Sequence, residues 1–349
     1  MPARKARRVS GPSPPARPTL REVAARAGVS TATVSRVLNR SGSVRPALRQ
    51  RVLAAVTALD YVPHAAARAL ASRRSRTVGA IIPTVDNAIF ARCVQALQRR
   101  LSCAGHTLFL ASSDYDPEHE LSEAIGLVEH GVDALMLVGE AHHPRLYELL
   151  ACKGVPYVVT WSYRPAMPHP CIGFDNQRAA TRMTEHLLAL GHRRVAMIAG
   201  VTAHNDRARA RVAGVRAALA GHGLTLPRRL FREERYSIPA GRQAMRALLA
   251  RRPRPTAVVC GNDVLALAAL LECQAQRIAV PESVSITGFD DLELAAHVRP
   301  PLTTMRVPSR EMGSAAAEYL LARLAGETPA ETTELEVHLI ARATTAPPP

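Results

Sequence analysis

The chain has 349 residues, 47 % of them hydrophobic, and a formal net charge of +16. That length and apolar content allow two or more domains with cores of their own, while no apolar run approaches the roughly 18 residues of a membrane-spanning helix. The charge is concentrated: residues 1–76 hold 16 of the 45 Lys and Arg with only two acids, Glu22 and Asp60, a net of +14 that leaves +2 for the rest. A near-neutral body with a strongly basic head points to a polyanion partner for the head alone.

The chain opens with "MPARKARRVSGPSPPARP". It is basic and proline-rich, and no apolar stretch follows it, so a disordered arm over 1–18 is expected rather than a secretory signal. The six cysteines, Cys93, Cys103, Cys152, Cys171, Cys260 and Cys273, form no C-x-x-C pair and no zinc spacing with histidine. They read as isolated buried thiols of a cytoplasmic protein, without a metal site or cofactor.

From Leu20, "LREVAARAGVS" places Leu20, Val23, Ala24 and Ala27 on one helix face. Gly28 suits the position after a helix, where a positive φ costs least. Ser30 then stands where an N-cap belongs, before "TATVSRVLN" with its own apolar face of Val34, Val37 and Leu38. Two short helices across a glycine-containing turn make a helix-turn-helix. Residues 46–59, with Val52, Leu53, Val56 and Leu59, supply a third helix to close a small core over 19–62.

The second helix keeps Thr31, Ala32, Thr33, Ser35 and Arg36 off its buried face. Short and polar side chains at a helix N-terminus are what entering the major groove requires, and Arg36 suits a bidentate contact to a guanine edge. The stretch "YVPHAAARALASRRSR" follows. Its Ala-rich segment is too short to be a stable helix alone, since isolated helices below about 12–15 residues are marginal. A hinge helix and linker over 63–76 is expected, ordered only when something holds it, with Leu70 as its one large apolar residue.

Beyond Arg76 short β-rich runs alternate with helical stretches: "TVGAIIP", "HTLFLAS", "VDALMLVG", "VPYVVTW", "RRVAMIAG", "TAVVCG" and "SVSITGFD". Strands separated by helices mean βαβ units and parallel sheets, and about ten strands suit two doubly wound α/β lobes better than one sheet. Ligands in such folds bind beyond the carboxyl ends of strands. The residues found there are Asp175-Asn176, Asn262-Asp263 and Asp290-Asp291, with Arg207 and Arg211 one helical turn apart. Helix capping by Asn176 and Asp263, or solvated ion pairing, is the competing role for these groups.

Taken together, "TLREVAARAGVSTATVSRVLN" and "YVPHAAARALA" resemble the head and hinge of the LacI/GalR family of bacterial transcription repressors. The resemblance implies an all-α helix-turn-helix head on a periplasmic-binding-protein-like core over 77–345. The N-lobe would take about 77–175 and 308–333, and the C-lobe about 176–306 and 334–345. It implies DNA contacts from Ser30, Thr31, Ala32, Thr33 and Arg36. Thr31 and Ala32 match the pair that sets operator choice, Arg68 matches a minor-groove or backbone contact, and Leu70 matches a wedge between base steps. In the core, Phe90, Trp161, Asp175, Arg207, Arg211, Tyr236, Asn262 and Asp290 would hold the effector. "GFDN", "VPESVSITGF" and "REMGSAAAEYLLARLAGE" most resemble the gluconate-repressor branch, so a sugar or sugar acid is the expected effector and a purine-type co-repressor the alternative.

The resembled family builds tetramers with a C-terminal leucine-heptad helix; this chain ends "ARATTAPPP" without one, so the resemblance implies a homodimer on a near-palindromic operator. No phosphate loop, dinucleotide fingerprint, nucleophile elbow or H-E-x-x-H occurs, and a sugar-processing enzyme with a DNA-binding head is a remote alternative.

Overall fold

The computed structural model describes residues 18–38, 44–62 and 74–349. The expected basic arm, and Arg68 and Leu70 of the expected hinge, lie outside the described residues. Two compact units divide the chain between Ser75 and Arg76.

The head unit contains α1 (Leu20–Ala27), α2 (Thr31–Leu38) and α3 (Pro46–Ala58). A capping box starts α1: Glu22 N donates to Thr19 Oγ1 at 3.3 Å and Thr19 N donates to Glu22 Oε2 at 2.6 Å. Gly28 ends it at φ 61°, which turns the chain directly into α2. Val23, Ala24, Ala27, Val34, Val37, Val52 and Ala55 form the buried centre. Leu53, expected on the inner face of α3, is instead 44 % exposed. The inner stripe runs Val52, Ala55, Val56, Leu59 at helical spacing, and Leu53 lies about 100° round from its start.

The core unit begins with β1 (Thr77–Ile82), α4 (Ala88–Cys103), β2 (Thr107–Ser112), α5 (Pro117–Glu129), β3 (Ala134–Val138), α6 (Pro144–Lys153), β4 (Tyr157–Thr160) and β5 (Cys171–Gly173). The chain then enters a second lobe through α7 (Asn176–Ala189), β6 (Val195–Gly200), α8 (Asp206–Gly221), β7 (Phe231–Glu234), α9 (Ile238–Leu249), β8 (Ala257–Cys260), α10 (Asp263–Ala275) and β9 (Ser285–Thr287). It returns by β10 (Thr304–Arg306) to α11 (Ser309–Ala325) and β11 (Thr332–Glu334), and finishes with β12 (His338–Ile340).

One sheet has the order β11-β5-β4-β3-β1-β2 and the other β7-β6-β8-β9, with every pairing in both parallel. β10 and β12 form a separate antiparallel pair. Parallel strands covered on both faces must be apolar throughout, and β3 and β6 are buried at every residue. All the cysteines are free, but Cys103 and Cys152 are exposed, which corrects the expectation of six buried thiols. Both stand near helix C-termini, where the apolar stripe has turned away from the core.

Candidate functional site

On the head, Ser30, Thr31, Ala32 and Arg36 are exposed, and Thr33 and Ser35 are half-buried. Ser30 is committed to helix geometry: its Oγ accepts from Thr33 N at 3.2 Å and lies 3.0 Å from Thr33 Oγ1. Thr31, Ala32 and Arg36 are left as the outward-facing surface of α2. Arg51 Nη2 donates to the Ala27 carbonyl at 2.5 Å, tying α3 to the turn that presents this helix.

The core carries a second site where the carboxyl ends of both sheets meet. A small cavity, about 20 Å³, is lined by Asn87, Ile89, Phe90, Tyr115, Trp161, Asn205, Arg207, Arg211, Tyr236, Asn262 and Asp290. Of the eight expected effector residues, only Asp175 is absent from this lining. Its Oδ1 accepts from Arg178 N at 2.9 Å and caps α7. Asn176, one residue later, does what Asp175 was expected to do indirectly: it is buried and braces two residues of the cavity. Its Nδ2 donates to the Trp161 carbonyl at 2.8 Å, and its Oδ1 accepts from Arg211 Nε at 2.9 Å.

The same one-residue shift occurs at α10. Asn262, not Asp263, is the cap, accepting from Leu265 N at 3.0 Å. Asp263 is fully buried and staples the following loop, with Oδ2 accepting from Leu292 N at 2.7 Å and Oδ1 from Thr304 Oγ1 at 2.6 Å. Burial pushes its carboxyl up to about 6 against those hydrogen bonds. Asp291 turns away from the cavity to Arg306 at 2.7 Å and Arg342 at 2.6 Å.

Phe90 and Trp161 make one apolar wall, their ring centroids 5.0 Å apart. Tyr115 and Tyr236 stand 6.1 Å apart. Burial raises both phenols above their ordinary range, so they stay protonated and are able to donate. The polar side is built from helix starts: Asn87, Asn205 and Asn262 cap α4, α8 and α10 respectively. Three positive helix ends therefore border one cavity.

Arg211 lies with its guanidinium carbon 3.8 Å from the Phe289 ring centre, and Nη1 donates to the Gly261 carbonyl at 2.7 Å. Arg207 Nη1 donates to the Val138 carbonyl and to Asp206 Oδ1, each at 3.0 Å. Asp290 is 3 % exposed. Burial raises its carboxyl to about 8, with Arg211 opposing the shift and Asp263 adding to it. Its φ of 126° and the φ of 66° at Trp161 are unfavourable for side chains, so the surrounding packing holds two lining residues in strained backbone. Asn262 Nδ2 is a buried donor without a partner among the described residues.

Asn87, Ile89, Tyr115 and Asn205 line the cavity without having been expected there. Each follows a strand of the parallel sheets, so strand-end position was the available signal; Tyr115 comes after β2, between Asp114 and Asp116. Among the described residues no helix is long and apolar enough to cross a membrane, and no group of His, Cys, Asp and Glu is arranged to hold a metal ion.

Residues 19–64 match the family described as bacterial regulatory proteins, lacI family, and residues 184–345 match the periplasmic binding protein-like domain. The HTH-type transcriptional regulator GntR of Escherichia coli K12 is 32 % identical over 312 residues, covering 89 % of this chain and 93 % of that protein. The lac repressor dimer bound to operator superposes with a TM-score of 0.83 at 28 % identity, over 94 % of this chain and 99 % of the repressor chain. The complex of transcriptional regulator CelR with cellobiose gives a TM-score of 0.69 at 34 % identity, over 94 % of this chain and all (100 %) of that one.

Proposed function

We propose, from the premise that this chain belongs to the lacI family of bacterial regulatory proteins, that it is a repressor whose grip on DNA is set by a sugar or sugar acid held in the core cavity. The chain is a DNA-binding transcriptional regulator with an α/β effector core; the identity of the effector and the roles of individual residues are the proposal. It acts by binding rather than by turnover, and in the bacterial cytoplasm, where its DNA is. One head reads a half-site, so a homodimer on a near-palindromic operator follows from two-fold symmetry, as in the related repressor dimer on its operator. Thr31, Ala32 and Arg36 meet base edges, while Ser30 and Thr33 fix the helix start. Arg68 and Leu70 are proposed to serve the hinge.

The observation that carries the ligand reading is the orphaned Asn262 Nδ2, 1 % exposed as a residue, in the same cavity as the Asp290 carboxyl and the Arg211 guanidinium. A buried donor without a partner costs about 1–3 kcal/mol, which a ligand oxygen recovers. Donors and acceptors at close quarters beside an aromatic wall suit vicinal hydroxyls on a ring with apolar faces. Arg207 and Arg211 retain Nη2 donors for a hydroxyl or a carboxylate, since planar guanidinium geometry serves either.

The test is a thermal-shift screen of the full chain against neutral sugars, sugar acids, purines and phosphorylated sugars. A ligand of the native state raises the Tm by mass action, about 2.7 kcal/mol of stabilisation at one hundred times Kd. A shift from a sugar or sugar acid that vanishes in Arg211→Ala supports the reading. A shift from purines alone overturns the ligand class and keeps the regulator.

A further inference from the structure

The second lobe carries a cleft at the other end of its sheet. β6, β8 and β9 run parallel and start in register, Val195 beside Ala257 and Ala257 beside Ser285. The core cavity lies beyond their carboxyl ends, so the residues just before these strands share the opposite pole. They are Arg194 before β6, the run from Arg251 to Thr256 before β8, and Ser283 before β9. Arg194, Arg252, Arg254, Thr256 and Ser283 line a cleft of about 460 Å³ there.

The arginines converge on this cleft without acids. Arg252 Nη1 and Arg254 Nε both donate to the Leu249 carbonyl at the end of α9, each at 3.3 Å. Those two nitrogens are therefore no more than twice that distance apart. Arg194 Nε donates to the Arg254 carbonyl at 3.1 Å and is drawn to the same corner. Arg252 Nη1 also donates to the Arg251 carbonyl at 3.0 Å, and Arg251 has a buried Nε with no acceptor among the described residues. Among the described residues none of these four arginines belongs to an ion pair. Glu272 of α10 is spent on Arg242 and Arg246, at 3.0 and 2.8 Å, and Glu282, adjacent to Ser283, is exposed.

Capping the end of α9 explains one nitrogen of Arg252 and one of Arg254, because a helix C-terminus attracts cations. It leaves most of the N–H groups of each guanidinium unused, and it does not explain why like charges gather. Like charges this close repel one another, and an oxyanion seated between them replaces the repulsion with charge-assisted hydrogen bonds. Pro253 and Pro255 fix φ on both sides of Arg254, which lowers the ordering cost of binding.

We infer that this pole binds a diphosphate group, held by Arg194, Arg252 and Arg254. Three guanidinium charges exceed what one phosphate, at about −1.5 to −2, neutralises, and planar guanidinium donors match phosphate oxygens in pairs. Thr256 is committed elsewhere, its Oγ1 lying 3.0 Å from His192 Nδ1, so the arginines carry the recognition. The site is separate from the core cavity and does not depend on what that cavity holds.

The experiment titrates the full chain, without divalent cations, with pyrophosphate, with ADP and with sodium chloride at matched ionic strength. The basic head also attracts anions, so the readout is local. Exchange of the non-proline amides over 250–256 is expected to slow about fivefold at saturating pyrophosphate and to stay unchanged in chloride. R252Q/R254Q alters one exposed and one half-buried side chain; it should fold and keep its operator affinity. Its half-saturating pyrophosphate concentration should rise about tenfold or more, through the loss of charge-assisted hydrogen bonds. Should that variant fail to fold, R194Q, at an exposed position, is expected to show the same loss. Tighter binding of ADP supports the site with a nucleotide as carrier of the diphosphate, and tighter binding of pyrophosphate supports it with the free anion. Equal slowing by chloride means screening alone and overturns the inference. Protection confined to 19–62, or protection that the variants retain in full, overturns it as well.

Discussion

Asn176 joins the two lobes through one amide: its oxygen takes Arg211 Nε at 2.9 Å and its nitrogen holds the Trp161 carbonyl at 2.8 Å. Arg211 and Trp161, which both line the cavity, are thereby set by one buried side chain. Asn176→Ala leaves a buried N–H and a buried carbonyl unpaired, and the expected cost is about 2–4 kcal/mol of stability. Denaturant unfolding measures it, and an accompanying shift of Trp161 emission in the native baseline reports the loosened wall.

Arg36 is exposed on α2, beside Thr31 and Ala32. If it contacts a base edge, Arg36→Ala lowers operator affinity by about 1–3 kcal/mol while binding to random duplex changes little. If it contacts a phosphate, both affinities fall together and the salt slope decreases by about one unit. Fluorescence anisotropy on operator and random duplexes at several salt concentrations separates the two, and the first outcome is expected.

Asp290 gives the core a pH dependence whose sign follows from its raised carboxyl, at about 8. Between roughly pH 4, where an ordinary carboxyl ionises, and that value, the native state holds a proton that the unfolded chain has released. Stability therefore falls as pH rises through this window. Asp290→Asn removes its share of the slope and leaves that of Asp263, raised to about 6, so its Tm should exceed that of the wild type increasingly towards pH 8, by several degrees at the top of the window. Calorimetry across the range tests it, and parallel curves for the two proteins would refute the assignment.

Asp263 is a staple rather than a ligand group, holding Leu292 N and Thr304 Oγ1. Asp263→Ala should destabilise the chain by about 2–5 kcal/mol through two stranded donors. Operator binding by the head, a separate compact unit, should persist wherever the core stays folded. Thermal unfolding and the anisotropy assay together read both effects.

Local periodicity made much of this protein legible. The helix-turn-helix was visible because capping, the Gly28 turn and one apolar stripe are each encoded within a few residues. The alternation of apolar runs and helices disclosed two parallel sheets, and the rule that ligands sit beyond strand ends led to Arg207, Arg211, Asn262 and Asp290. Each of those depends on chain-local chemistry, so the sequence alone determines it.

Tertiary structure decided which neighbour in each polar pair serves the cavity. Asp175 caps while Asn176 braces Arg211, and Asn262 caps and lines while Asp263 staples a loop. Adjacent helix-start residues have similar local propensities, but the partners that distinguish them lie far away in sequence: Asn176 reaches Arg211 across 35 positions and Asp263 reaches Thr304 across 41. Tyr115 joined the cavity, and Leu53 left the head's core, for the same reason. A side chain's burial and hydrogen-bond partner are fixed by what folds against it, and short-range pattern carries no record of that.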